Sequence, residues 1–74
     1  MTLDEYRAKL GWSKAKLASE SHVDIRTVRK AIVGEPIFKA KAGEIANAIS
    51  RGLISRGLGG EVTYKDFEGL KLAD

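Results

Sequence analysis

The chain has 74 residues, a net charge of +3, 43% hydrophobic and 31% charged residues, and a single histidine and no cysteine. That size holds one small core, and that composition suits a folded domain and not a disordered tail. The missing thiols exclude disulfide frameworks, thiolate zinc sites and cysteine nucleophiles, and they fit a reducing compartment, so a cytoplasmic location is expected.

The pattern along the chain reads as consecutive short helices. Thr2-Leu3-Asp4-Glu5 is a capping box. Leu3, Tyr6 and Leu10 recur at helical spacing after it, and Gly11 supplies a left-handed stop. A second helix is predicted from the N-cap Ser13 to about Ser21, with Trp12 and Leu17 placed as a hydrophobic staple. A third opens at Asp24, buries Val28, Ala31 and Ile32, and stops at Gly34 and Pro36. Ile25 fits its apolar pattern as well. A fourth runs from about Lys39 to Leu53 with Ala42, Ile45, Ala46, Ile49 and Leu53 on one face. Two copies of an Ile-Ser-Arg-Gly-Leu pentad, at 49–53 and 54–58, are too few for a solenoid and read as its fraying end. Thr63 to about Glu68 is expected to form a fifth, short helix ending at Gly69, with Leu70 and Leu72 returning to the core. No period-two strand pattern occurs. The predicted class is all-α, a compact bundle of about five short helices in a single domain over 1–74.

Charge is unevenly placed. Between Ser13 and Lys41 there are seven basic residues, Lys14, Lys16, Arg26, Arg29, Lys30, Lys39 and Lys41, against three acidic ones. The rest of the chain carries no net positive charge. A localised basic surface is the footprint of a polyanion partner, although it also describes a solvated helical face.

The segment Lys14–Val33, KAKLASESHVDIRTVRKAIV, places two short helices around a tight turn. Ala18 lets the helices approach closely and Val23 plugs the corner. Asp24, Ile25, Arg26, Arg29 and Lys30 are then expected on the outward face of the third helix. Two guanidinium forks and an ammonium suit base edges in the major groove and the phosphates beside them.

In these residues the chain resembles the helix-turn-helix regulators of the phage Cro and repressor type, the XRE family. The matching positions are Leu17-Ala18, Val23, Val28 and Lys30-Ala31-Ile32. Lys39-Ala40-Lys41-Ala42, Glu44–Ile49 and Val62–Leu70 look like the family's basic loop, fourth helix and fifth helix. The resemblance implies a lambda-repressor-like fold with the helix-turn-helix at about 13–33. It also implies a sequence-specific transcriptional regulator of bacterial or phage type, a repressor more readily than an activator, with double-stranded DNA as partner. By the same resemblance, Asp24, Ile25, Arg26, Arg29 and Lys30 face the major groove, Ser13, Lys14 and Thr27 hold phosphates, and Lys39 and Lys41 grip the backbone on the far side. His22 stands where the family usually has a left-handed glycine. Histidine tolerates that conformation at a cost of roughly 1 kcal/mol.

Catalytic and metal sites are not expected, nor is any cofactor. The acids Asp4-Glu5 and Asp66…Glu68 lie in first helical turns, where they complement the helix dipole. No membrane span is expected, because no run approaches ~20 apolar residues. Three further readings stay open. One is a protein-interaction module on the same fold, such as an antirepressor or antitoxin-like partner. Another is the N-terminal domain of a longer regulator. The third is a weak homodimer that pairs on DNA through Leu53–Leu58, Leu70 and Leu72.

Overall fold

The computed structural model describes residues 1–74 and contains four α-helices, one 3-10 turn and no β-strand. Helix α1 spans Leu3–Leu10, α2 Lys14–Ser21, α3 Ile25–Val33 and α4 Lys39–Ser55. The first three helices begin and end as the sequence predicts. The Thr2–Glu5 capping box is complete, Ser13 accepts from the Lys16 N–H, and Asp24 accepts from the Arg26 N–H. Each of the three closes on a left-handed residue, Gly11, His22 and Gly34. His22 has φ 57° and is the one non-glycine residue with positive φ. Its backbone N–H bonds the Ser19 carbonyl, so the strain is coupled to closing α2.

Two expectations about the second half change. The fifth helix is only a 3-10 turn over Tyr64–Asp66. Its capping box forms, but a capping box marks a start and carries no information about length. Helix α4 also runs two residues further than expected, to Ser55. It takes the first pentad whole, and the second leaves the helix at Arg56.

Helix α4 is the packing centre and touches α1, α2 and α3. Ile45, Ile49 and Leu53 are almost wholly buried along it, together with Leu10 of α1, Leu17 of α2 and Val28 of α3. Gly52 is required at its crossing with Trp12. A Cβ there would lie 2.8 Å from the indole Cη2 and Cζ2. Tyr6 and Phe67 meet edge to face at 5.5 Å, which seats the C-terminal segment against α1. Buried Ser50 accepts from the Val62 N–H at 2.9 Å and pins the long connection after α4.

Leu70 and Leu72 pack half-buried against the core as the sequence suggests, but the path of the segment that carries them has no local signature. The segment 70–74 lies across the connection between α3 and α4. The Ile37 N–H bonds the Lys71 carbonyl at 3.1 Å, and the Ala73 N–H bonds the Ile37 carbonyl at 2.8 Å. These bonds form a single parallel bridge between Ile37 and Leu72. Asp74 then accepts from the Lys39 N–H at 2.8 Å, which caps α4 from 35 residues away. The N-cap residue itself, Phe38, has no side chain able to do this.

Candidate nucleic-acid interface

Helices α2 and α3 pack against each other through Leu17, Ala18, Val23 and Val28, all buried, with the three residues His22-Val23-Asp24 between them. Burial of Val28 and Ala31 fixes the rotation of α3 and so decides which side chains point outward. Arg26, Arg29 and Lys30 are exposed. The side chains of Arg29 and Lys30 have no ion-pair or hydrogen-bond partner anywhere in the chain.

Arg26 differs. Its guanidinium makes a two-pronged contact with the Asp24 carboxylate, at 3.2 Å through both Nε and Nη2. The same carboxylate accepts from the Arg26 backbone N–H at 2.8 Å. The guanidinium hydrogen bond first, and the backbone N–H second, hold the Asp24 carboxyl below its ordinary range. Asp24 therefore caps α3 and tethers Arg26, while its side chain stays exposed.

The other expected contacts divide. Ile25 is half-buried against the core, which leaves only part of it available to a thymine methyl. Ser13 uses its hydroxyl to cap α2, while Lys14 beside it is exposed and unpaired. Thr27 is half-buried and joins Lys30 and Lys41 in lining a cleft of about 290 Å³ closed by Pro36, Ile37, Phe38 and Ala73. A second, wholly polar depression next to it is lined by Asp24, Arg26, Thr27 and Lys30. Lys39 is turned away from both, and its Nζ stands 6.0 Å from the centre of the Tyr64 ring. Thr27, Lys30 and Lys41 are thus brought together, and Lys39 is not.

Phe38, which follows Pro36 where the resembled family often has a polar cap and is therefore expected to be partly exposed, is 63% exposed at the rim of this cleft. The surface proposed for pairing is also smaller than expected, because Leu53 is 2% exposed and belongs to the core. Ile54 and Leu58 are the exposed apolar residues there. No cluster of side chains is spaced to hold a metal ion, and no helix is long and apolar enough to cross a membrane.

Comparison with models of known families, with curated proteins and with solved structures finds no match to this chain.

Proposed function

We propose that the protein is a sequence-specific DNA-binding regulator of the helix-turn-helix type, with α2 and α3 as the motif and α3 as the helix that reads the major groove. The observation that carries this reading is the unpaired state of Arg29 and Lys30. They project from a helix whose opposite face is locked into the core. A guanidinium left without a partner costs nothing in water and is ready to make a bidentate contact to guanine O6 and N7.

Arg29 is the principal base reader in this proposal, with Arg26 joining once its tether to Asp24 opens. Lys14, Thr27, Lys30 and Lys41 hold phosphates. Such contacts fix register and orientation, while the base contacts supply specificity. The three lysines neutralise three phosphates per domain and give a slope of log K against log salt of about −3, and twice that for two domains on inverted half-sites.

Selection of bound sequences from a random duplex pool tests the proposal. An enriched motif of a few base pairs, with that salt slope, is the expected result. Binding without enrichment would leave a non-specific polyanion binder. No binding at any ionic strength would remove DNA and favour a protein partner on the same face.

A further inference from the structure

Phe38 occupies a position where the local rules are broken twice. It is the N-cap of the 17-residue helix α4, a place that favours Ser, Thr, Asp or Asn, and it makes no capping hydrogen bond. It also leaves an aromatic ring 63% exposed. Either a small polar residue or a buried ring would be the more stable choice. The exposed ring is the conflict that the rest of the fold leaves unrelieved, and such a conflict marks a position suited to something other than stability. The cap that Phe38 cannot supply comes instead from Asp74.

The surroundings define what the ring is suited to meet. Phe38 shares its cleft with Thr27, Lys30 and Lys41, so one hydroxyl and two unpaired ammonium groups line the same space as the ring. At about 290 Å³ the cleft is at the lower edge of the ~300–1,000 Å³ usual for small-molecule pockets, and it is open on one side. Positive charge beside an exposed aromatic face is complementary to a nucleotide, whose phosphate takes the cations and whose sugar or base covers the ring. An apolar protein surface would strand the two ammonium groups without partners, which disfavours it.

We infer that the Phe38 cleft is a one-nucleotide seat on the DNA backbone. Lys30, Lys41 and Thr27 hold the phosphate, and the Phe38 ring packs on the adjoining deoxyribose. This rests on the DNA-binding reading above and adds to it an apolar anchor outside the base-reading helix.

The test uses the full chain and its selected duplex, with affinity measured across a range of salt for wild type, Phe38→Ser, Phe38→Tyr and Lys41→Ala. Phe38→Ser should bind about 5–30-fold more weakly at every salt concentration with an unchanged slope, because an apolar contact releases no counterions. Its thermal midpoint should equal or exceed that of wild type, since serine is a good N-cap. Phe38→Tyr should keep affinity within about twofold, as it retains the ring face. Lys41→Ala should reduce the magnitude of the slope by about one.

Phe38→Ser within twofold of wild type would overturn the seat while leaving the DNA reading intact. The same holds if that variant instead abolishes self-association seen by sedimentation, which would give the ring to a second copy of the chain. Failure of wild type to bind any duplex would overturn both.

Discussion

The arginines in the two halves of the molecule behave in opposite ways. Around α1 and the end of α4, the guanidinium groups are held by backbone carbonyls. Arg7 donates to the Trp12 carbonyl at 2.6 Å, Arg51 to the Glu20 carbonyl at 2.9 Å, and Arg56 to the Leu10 carbonyl. Each satisfies an acceptor near a helix end that has no partner of its own. On α3, Arg26 is held only by an exposed carboxylate two residues away, and Arg29 by nothing. The same side chain closes helices in one half and stays available in the other. The position of each arginine relative to a helix terminus decides which. Composition alone would have counted all of these cations as candidate ligands for a polyanion, whereas the geometry withdraws Arg7, Arg51 and Arg56 from the list.

This division can be broken most severely from the packed half. Gly52→Val places two methyl groups where even a Cβ would be 2.8 Å from the Trp12 ring. Overpacking of that kind should cost about 3 kcal/mol and lower the thermal midpoint by roughly 4–8 °C per kcal/mol. Differential scanning calorimetry reads this directly, and an unchanged midpoint would mean that Trp12 is not held where α4 crosses it. Arg29→Ala addresses the other half. It should weaken specific DNA binding by about 1–3 kcal/mol and relax the preference at one base pair. Chemical denaturation should show no change, because the side chain is exposed and unpaired.

Arg56→Ala should give the reverse pattern. Loss of the bond to the Leu10 carbonyl should lower stability by about 1 kcal/mol, with DNA affinity unaltered. If Arg56→Ala and Arg29→Ala both changed affinity and left stability alone, the two halves would not differ. His22→Gly should raise stability by roughly 0.5–1 kcal/mol by relieving the left-handed side chain, less the entropy glycine adds to the unfolded chain. A pH-dependent loss of binding in that variant would reveal a role for the imidazole.

The smallest effect concerns Asp24. Its carboxyl titrates below the ordinary value of 3.8 in the folded protein, so the stability its ionised form contributes is whole above that value. It is lost as acid carries the pH down through the lowered folded value. Asp24→Asn should keep the cap, remove that acid sensitivity and release Arg26, giving a small rise in DNA affinity at neutral pH. An unchanged acid limb in circular dichroism would show that the bridge contributes nothing.

The caps and the core faces of α1, α2 and α3 were legible because they are local. A capping residue lies within three positions of the N–H it serves, and an apolar face repeats every three or four residues. Thr2, Ser13, Asp24, Gly11 and Gly34 all stand where that logic puts them. The same logic failed where the decisive partner is remote. Asp74 capping Lys39, Lys39 leaning over Tyr64, and Ser50 gripping Val62 join residues 12 to 35 positions apart. None has a sequence signature. In the candidate interface, Arg29, Lys30 and Lys41 could be picked out by charge and helical phase. The diversion of Lys39 and the tether on Arg26 could not, since each depends on a neighbour's rotamer.

The strap over Ile37 has a consequence for the order in which the surface comes into being. During synthesis α2 and α3 leave the ribosome early and have their local caps with them. The start of α4 and the Phe38 rim wait for Lys71, Ala73 and Asp74, which hold them in place. Contacts of such sequence separation form late, because loop closure must come first. A nascent chain therefore carries α3 before the cleft beside it is complete. Chains stalled on the ribosome behind linkers of increasing length should gain protection at the Lys39 amide only once residue 74 is clear of the exit tunnel.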